Sequence, residues 1–535
     1  MTRLAKLSVF LIVLFCMEAL LAQYPNIRVS RPESTWPEEV TIAIDPTNPL
    51  NLAAGANIDF YYFSTDGGST WNEGRLSSSL GVAGDPCVAF DAAGNLYYAH
   101  LSRPASGSWL DRIVVQKSTN GGVSWNDGTG AGLNPPKHQD KEWLIADHTN
   151  SPFRNHLYMA WTEFDKYGST NPKDSTRILF SHSTDSGATW SLPVRISDRG
   201  GDCIDSDNTV EGAVPAVGPN GEIYLSWAGP LGLMFDKSTD GGKTFGKDLF
   251  ITSQPGGWDF KIPGIYRCNG MPVTVCDISN SPYRGNIYVL WSDQRNGTDN
   301  TDIFLIKSKD GGKTWGPIKK VNDDATKRHQ FFPWITVDPV TGILYVAFYD
   351  RRNTQGDETE VYVARSRDGG ESFENFKVSA SPFTPRASIF FGDYINIAAR
   401  NGKVYPIWMR MEATNLSVWV AIIMDTVTSI IEKTERPVDD FQLLQSYPNP
   451  LMAGTTLSAA ENPITTIHYY LPLGQIVSLK IHDLMGREVA TLIDQWQAAG
   501  EYKVHFDGRA LPNGVYLYRL VAGKFSATKK FLLLR

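Results

Sequence analysis

Basic charge is in short supply in this chain of 535 residues. Fifty lysines and arginines face 57 aspartates and glutamates, for a formal net charge of −7. No broad basic surface follows, which argues against nucleic acid as a partner. Cysteine is scarcer, at five residues, and no Cys/His spacing suits zinc. Nothing in the sequence calls for a cofactor. Long apolar runs are missing after residue 22, so no later segment is expected to span a membrane. The one run near the start, Leu7–Phe15, follows Arg3 and Lys6 and is cut short by Glu18. With Ala19-Leu20-Leu21-Ala22 behind it, residues 1–22 read as a signal peptide cleaved after Ala22.

Turn-forming and aromatic residues are plentiful instead. The chain holds 47 glycines, and 12% of it is aromatic, as suits an all-β, turn-rich protein. One octet recurs six times: Ser64–Trp71 (STDGGSTW), Ser118–Trp125, Ser183–Trp190, Ser238–Phe245, Ser308–Trp315 and Ser366–Phe373. Its aspartate is Asp66, Asp185, Asp240, Asp310 and Asp368, with Asn120 in its place in the second copy. These positions lie 54, 65, 55, 70 and 58 residues apart. A period near fifty means one supersecondary unit built repeatedly. Each octet follows a strand-like run such as Asp302–Lys307. The D-G-G core tolerates φ > 0 in the hairpin turn, and the aspartate accepts hydrogen bonds from its own loop.

A second repeat lies upstream of each octet. A first strand ends at Asp45, Asp91, Asp147, Gly218, Asp277, Asp338 or Ala398, and a second follows, as in Leu157–Trp161 or Ile287–Trp291. That gives seven units, one more than the octets. The seventh lacks a fourth strand, and Asn26–Ser30 (NIRVS) matches the strands that follow the octets. The N-terminal strand therefore completes the last unit and closes the ring, protecting its edges.

The octet resembles the Asp-box of the sialidase (BNR-repeat) superfamily. The resemblance implies an Asp-box β-propeller over residues 23–426, read here as seven-bladed, with the six-bladed ring of true sialidases as the alternative. It also implies that the boxes are structural and lie away from any active site. Cys87 and Cys276 fall on innermost strands as buried thiols. Cys203 and Cys268 fall in loops leading into consecutive blades, and a disulfide between them is expected of an exported protein.

Repeat grammar stops at a polar linker, residues 427–440. Beyond it come Ser446-Tyr447-Pro448-Asn449-Pro450 and then Ile467–Pro472, Val477–Asp483, Gly486–Leu492, Gly500–Asp507 and Gly514–Leu520. Alternating strands with glycine turns read as a small β-sandwich over residues 441–535. The order resembles the C-terminal sorting domain of type IX secretion substrates. It departs from that pattern in an insertion around Met452–Asn462. The resemblance implies a Gram-negative bacterium of the Bacteroidetes kind, export by the type IX machinery, and release or attachment at the outer-membrane surface.

Loops leading into the innermost strands ring one mouth of a propeller's channel, where concave sites form. Just before those strands stand Glu39, Asp85, Glu142, Glu211 and Asp393. Crowded carboxylates raise one another's pKa, which suits general acid work or cation binding. The plainer alternative is polar residues facing water. Arg295, Arg352 and Arg410 follow the second strands of adjacent blades. An arginine triad holds the sialic-acid carboxylate in true sialidases, so the resemblance makes these three a candidate substrate clamp; Asp293 and Asp350 could instead hold them as loop ion pairs. Sialidases also use a tyrosine nucleophile, for which Tyr394 beside Asp393 is the candidate. Their N-terminal F/Y-R-I-P motif is not present, and Arg28 recurs as a fourth-strand residue in Arg195. Trp36, Trp109, Trp143 and Trp258 could stack on sugar faces or pack the core. The reading is a secreted, sialidase-like propeller acting on or binding an extracellular glycan or glycoprotein, the alternative being a non-catalytic surface binder or structural protein.

Overall fold

The computed structural model describes residues 24–425, 431–434, 440–452, 464–508 and 511–534. The expected signal peptide and the insertion's core lie outside the described residues. Among those described there is no α-helix, and no helix is long and apolar enough to cross a membrane.

Seven antiparallel sheets account for most residues up to Met424, six of them four-stranded and the last with Ile423–Met424 as a fifth strand. The third is typical: His138–Ala146, Leu157–Phe164, Thr176–Ser183 and Val194–Arg195 pair in that order. Second strands such as Leu157–Phe164 are buried along their whole length. Sheets on both sides cover them, so they read as continuous apolar runs and not as alternating ones. Trp161, Trp227, Trp291 and Trp408 are the largest side chains shut inside. The fourth strands are short and partly exposed, polar in Lys319–Lys320 and apolar in Leu249–Thr252, and their shortness blunts the outer edges against pairing with other chains.

The innermost strand of each sheet packs on that of the next, and Asn396–Arg400 of the seventh packs back on Thr41–Ile44 of the first. The seventh sheet takes its fourth strand from the N-terminus: Asn26, Ile27 and Arg28 pair with Ala421, Val420 and Trp419. Asn26 adds a clasp to the sixth sheet. Its side chain donates to the Val378 carbonyl and accepts from the Ala380 N–H, both at 2.8 Å.

All six octets fold alike. In the fifth, the Ser308 hydroxyl donates to Asp310 at 2.8 Å and accepts from the Gly312 N–H at 2.9 Å. Asp310 also accepts from the Thr314 N–H and hydroxyl at 2.9 and 2.6 Å. Gly311 and Gly312 sit at φ of 72° and 81°, a region that favours glycine. Asn120 keeps the acceptor role, taking the Ser124 N–H at 3.0 Å, and donates where an aspartate would accept. On the same face as the octets, where the inner strands end, Asp45, Asp91, Asp147, Asp277 and Asp338 each cap a turn by accepting the N–H two residues on.

No bond joins Cys203 to Cys268: both are free, buried thiols, as are Cys87 and Cys276. Cys203 bridges to Ser169, whereas Cys268 pairs with Phe260 in a separate two-stranded ribbon. The distal residues form two further sheets sharing one apolar core that includes Ile467, Leu479, Tyr518 and Phe531. Their strands alternate inward and outward, as in Gly500–Asp507, the pattern of a two-layer sandwich. Part of the expected linker belongs to this unit: Ile431–Thr434 is an edge strand on Gly500–Asp507. The rest of that linker, apart from residue 440, is outside the described residues.

Candidate functional site

The first feature of the mouth is a backbone one. Counting back five residues from Ile44, Phe90, Ala146, Val217 and Val337 gives Glu39, Asp85, Lys141, Gly212 and Phe332, and all five are left-handed, with φ between 48° and 77°. Register shifts fall at the same place in the third, fourth and sixth sheets. For a residue with a Cβ this conformation costs on the order of 1 kcal/mol. A bulge so placed re-aims the side chains around it. Repetition of the strain in four non-glycine positions makes it a property of the mouth.

Around this bulge lies a cavity of about 170 Å³. It gathers Glu39, Asp85, Glu211 and Asp393 of the expected carboxylates, with Trp109 and Trp258 in the wall. Glu142 sits one residue past its left-handed neighbour and points instead into a smaller recess of about 40 Å³, between Trp143, Trp334 and Tyr394. Both of its carboxyl oxygens are buried without a hydrogen-bond partner. Trp143 lies 4.3 Å from Trp334, ring centre to ring centre, and Trp258 donates to the Thr209 carbonyl at 3.1 Å. Trp36 is exposed and outside the cavity.

Four groups at the mouth went unnamed in the sequence: Asp140, Lys141, Asp205 and Arg267. Lys141 and Asp140 adjoin Glu142 and could have been found there. Arg267 and Asp205 stand in unrepeated loops with no counterpart in other sheets. Arg267 grips Asp393, with Nε 3.0 Å from Oδ1, and reaches Asp205 at 3.0 Å. Lys141 Nζ lies 4.0 Å from Asp85 and 3.9 Å from Asp393, over the Tyr394 ring at 4.4 Å. Asn57 bridges the first two sheets, donating to Glu39 and accepting the Asp85 N–H.

Ionisation splits across this cluster. Burial works to raise Asp393, but Arg267 and Lys141 outweigh it and hold that carboxyl below its ordinary value. Burial, with the negative charge of Asp85, holds Glu39 and Glu142 well above the carboxylate range. Burial, Asp85 and Asp205 hold Asp140 up, and burial, Asp205 and Asp140 hold Glu211 up. Ionised and protonated carboxyls thus share a mouth, the condition for acid and base roles in one site. Tyr394 is poorly placed as a nucleophile. It is buried, its hydroxyl donates to the Pro86 carbonyl at 3.2 Å, and burial pushes its pKa well up.

The three arginines are not brought to this cavity. Arg295 is held by Asp293 and covers the Phe304 ring at 4.5 Å. Arg352 is bound by Asp350, Asp323 and Asn375 over the Tyr362 ring. Arg410 is bound by Glu412 and Ser381. Each guanidinium is spent within or beside its own sheet, on carboxylates and carbonyls already present.

Stacked four-stranded sheets, octet staples and a concave mouth define a propeller-type repeat protein with a separate sandwich. Residues 155–394 match the family model of the BNR repeat-like domain, and residues 445–534 that of the secretion system C-terminal sorting domain. The chain thus carries a BNR repeat-like domain and a type IX secretion sorting domain, and the latter directs it to the outer-membrane surface or the extracellular space. No curated protein matches it. Among solved structures, it is similar to the NanB sialidase of Streptococcus pneumoniae at 9% identity and TM-score 0.42, covering 70% of this chain and 83% of that one. It is similar to the α-L-arabinofuranosidase Arb93A of Fusarium graminearum at 11% and 0.42, covering 73% and 98%. An ulvan lyase is similar at 12% and 0.44, covering 75% and 96%. At these scores none of the three bears on what this chain does.

Proposed function

We propose that the mature protein is a secreted or surface-held, sialidase-like propeller that binds an extracellular glycan or glycoprotein at the carboxyl-lined mouth. In this reading the seven sheets are the blades of one ring over residues 23–426, residues 1–22 are removed on export, and residues 441–535 serve the type IX machinery. The mouth cavity carries the reading, because its wall sets aromatic rings beside carboxyl groups. Rings offer flat apolar faces to sugar rings, and carboxyl groups bond their hydroxyls. Binding of the mature protein to a panel of neutral, amino and acidic oligosaccharides tests it. Trp109→Ala should weaken binding to the best member about tenfold, and a box change such as Asp310→Asn should not. Equal binding by Trp109→Ala, or none by any member, would sink the proposal.

Hydrolysis is the second reading, favoured by the ionisation split between Asp393 and the protonated Glu211. Release from fluorogenic glycosides, a sialoside among them, would show it, and Asp393→Asn should then cut the rate about 10²-fold or more. No release from the panel leaves binding alone. With Arg295, Arg352 and Arg410 engaged by neighbouring groups, a sialoside is one panel member and not the favoured substrate.

A further inference from the structure

The mouth cavity is more acidic than a neutral sugar needs. Six carboxyls line it, Glu39, Asp85, Asp140, Asp205, Glu211 and Asp393, against two cations, Lys141 and Arg267. Both cations lean to one side. Arg267 is taken by Asp393 and Asp205, and Lys141, its Nζ buried without a hydrogen bond, stands 4.0 Å from Asp85 and 3.9 Å from Asp393. Among the described residues no cation pairs with Asp140 or Glu211. Asp140 accepts only the adjacent Lys141 N–H, at 2.9 Å. Glu211 is 3% exposed, and its Oε2 is buried without a partner. Rings stand in the same wall: Tyr167 donates to Asp205 at 2.6 Å and meets Trp109 edge-on at 5.7 Å.

We propose that the corner between Asp140 and Glu211 holds a protonated amine, and that the glycan bound at the mouth is an amino sugar with a free ammonium group. The inference rests on the glycan reading above and names its substrate class. An ammonium supplies the donors that Asp140 and Glu211 lack. It also gains from aromatic faces once stripped of water. The opposite side already works this way, with the chain's own Lys141 ammonium set between Asp85, Asp393 and the Tyr394 ring. A neutral sugar brings no positive charge to stabilise the ionised forms of Asp140 and Glu211, and an acidic one disfavours them.

Proton linkage supports the same assignment. Asp140 and Glu211 face Asp85, Asp205, Lys141 and Arg267, and burial with the acidic neighbours holds both above the ordinary carboxylate range. An arriving ammonium favours their ionised forms, so binding releases protons. Affinity then rises with pH until the amine loses its own proton.

Chitosan and chitin oligosaccharides of equal length test this, since they share a backbone and differ in carrying ammonium or acetamide. Calorimetry on the mature, full-length protein at pH 7 should find the amino form bound at least about tenfold tighter, with net proton release across buffers of different ionisation enthalpy. Glu211→Gln should bring the two forms near parity. Asp140→Asn serves as the second variant should the first fail to fold. Equal or weaker binding of the amino form overturns the inference, and it leaves the glycan reading standing if neutral members of the panel bind. A lysine-rich peptide bound while every oligosaccharide fails overturns both.

Discussion

The seventh sheet takes its fourth strand from Asn26–Arg28, and Asn26 gives the sharpest test. Its carboxamide holds two backbone groups of the sixth sheet, the Val378 carbonyl and the Ala380 N–H, both at 2.8 Å and across separations of 352 and 354 residues. The same residue pairs with Ala421 in the seventh sheet. Asn26→Ala removes both bonds to the sixth sheet, together with a local one from its amide to the Tyr24 carbonyl at 3.1 Å, and keeps the pairing. At about 1 kcal/mol for each net hydrogen bond, the loss from the two bonds to the sixth sheet is about 2 kcal/mol. The buried Val378 carbonyl, on a residue only 2% exposed, moves the figure upward because it loses its partner in place. For so large a domain this lowers Tm by on the order of 2–4 °C. Asn26→Asp keeps the acceptor for Ala380 and loses the donor to Val378, so it should fall between. Scanning calorimetry gives the shift, and amide exchange gives its location, with the Val29 N–H bonded to Val418 at 2.8 Å losing protection first. An unchanged Tm with unchanged exchange at Val29 would refute the clasp.

The octets and the mouth give two further tests. Asp310→Ala should cost about 1 kcal/mol in a denaturant titration, as losing a capping side chain does, whereas Asp310→Asn should cost less because Asn120 fills that place in the second octet. Hydrogen bonds from Thr314 hold the Asp310 pKa below its ordinary value, so the aspartate's advantage exists above the unfolded pKa of about 4 and fades as pH falls. Glu142 runs the other way. Burial keeps its proton on in the folded state, so its contribution is lost as pH rises above about 4.3. Glu142→Gln should therefore lose less stability than the parent between pH 5 and pH 8, and identical Tm profiles would remove Glu142 from the account.

Much of the scaffold was legible because its causes are local. Within eight residues an octet contains its own donors, acceptors and glycines, so the turn follows from Ser308–Trp315 alone. Four of the mouth carboxylates were legible by position against the repeated strand. Glu142 was also placed beside that strand, yet it faces the inner recess, because a one-residue offset at a bulge reverses the side a residue faces. Lys141 was hidden by its left-handed backbone, and Arg267 by an unrepeated loop. The arginine alignment was real, since Arg295 and Arg352 occupy matching places after second strands. Their destination was not readable, because each found a carboxylate two residues away before any ligand could.

By itself the sequence determined the repeat, the octet turns and the sorting domain, since each is written in short-range chemistry. Tertiary structure alone decided how the groups at the mouth pair with one another. Asp393 meets Arg267 across 126 residues, and Glu211 stands without a cation although two lie in the same wall. Such pairings depend on how sheets converge around an axis, and buried charge is strongly sensitive to which partner lies within a few ångströms.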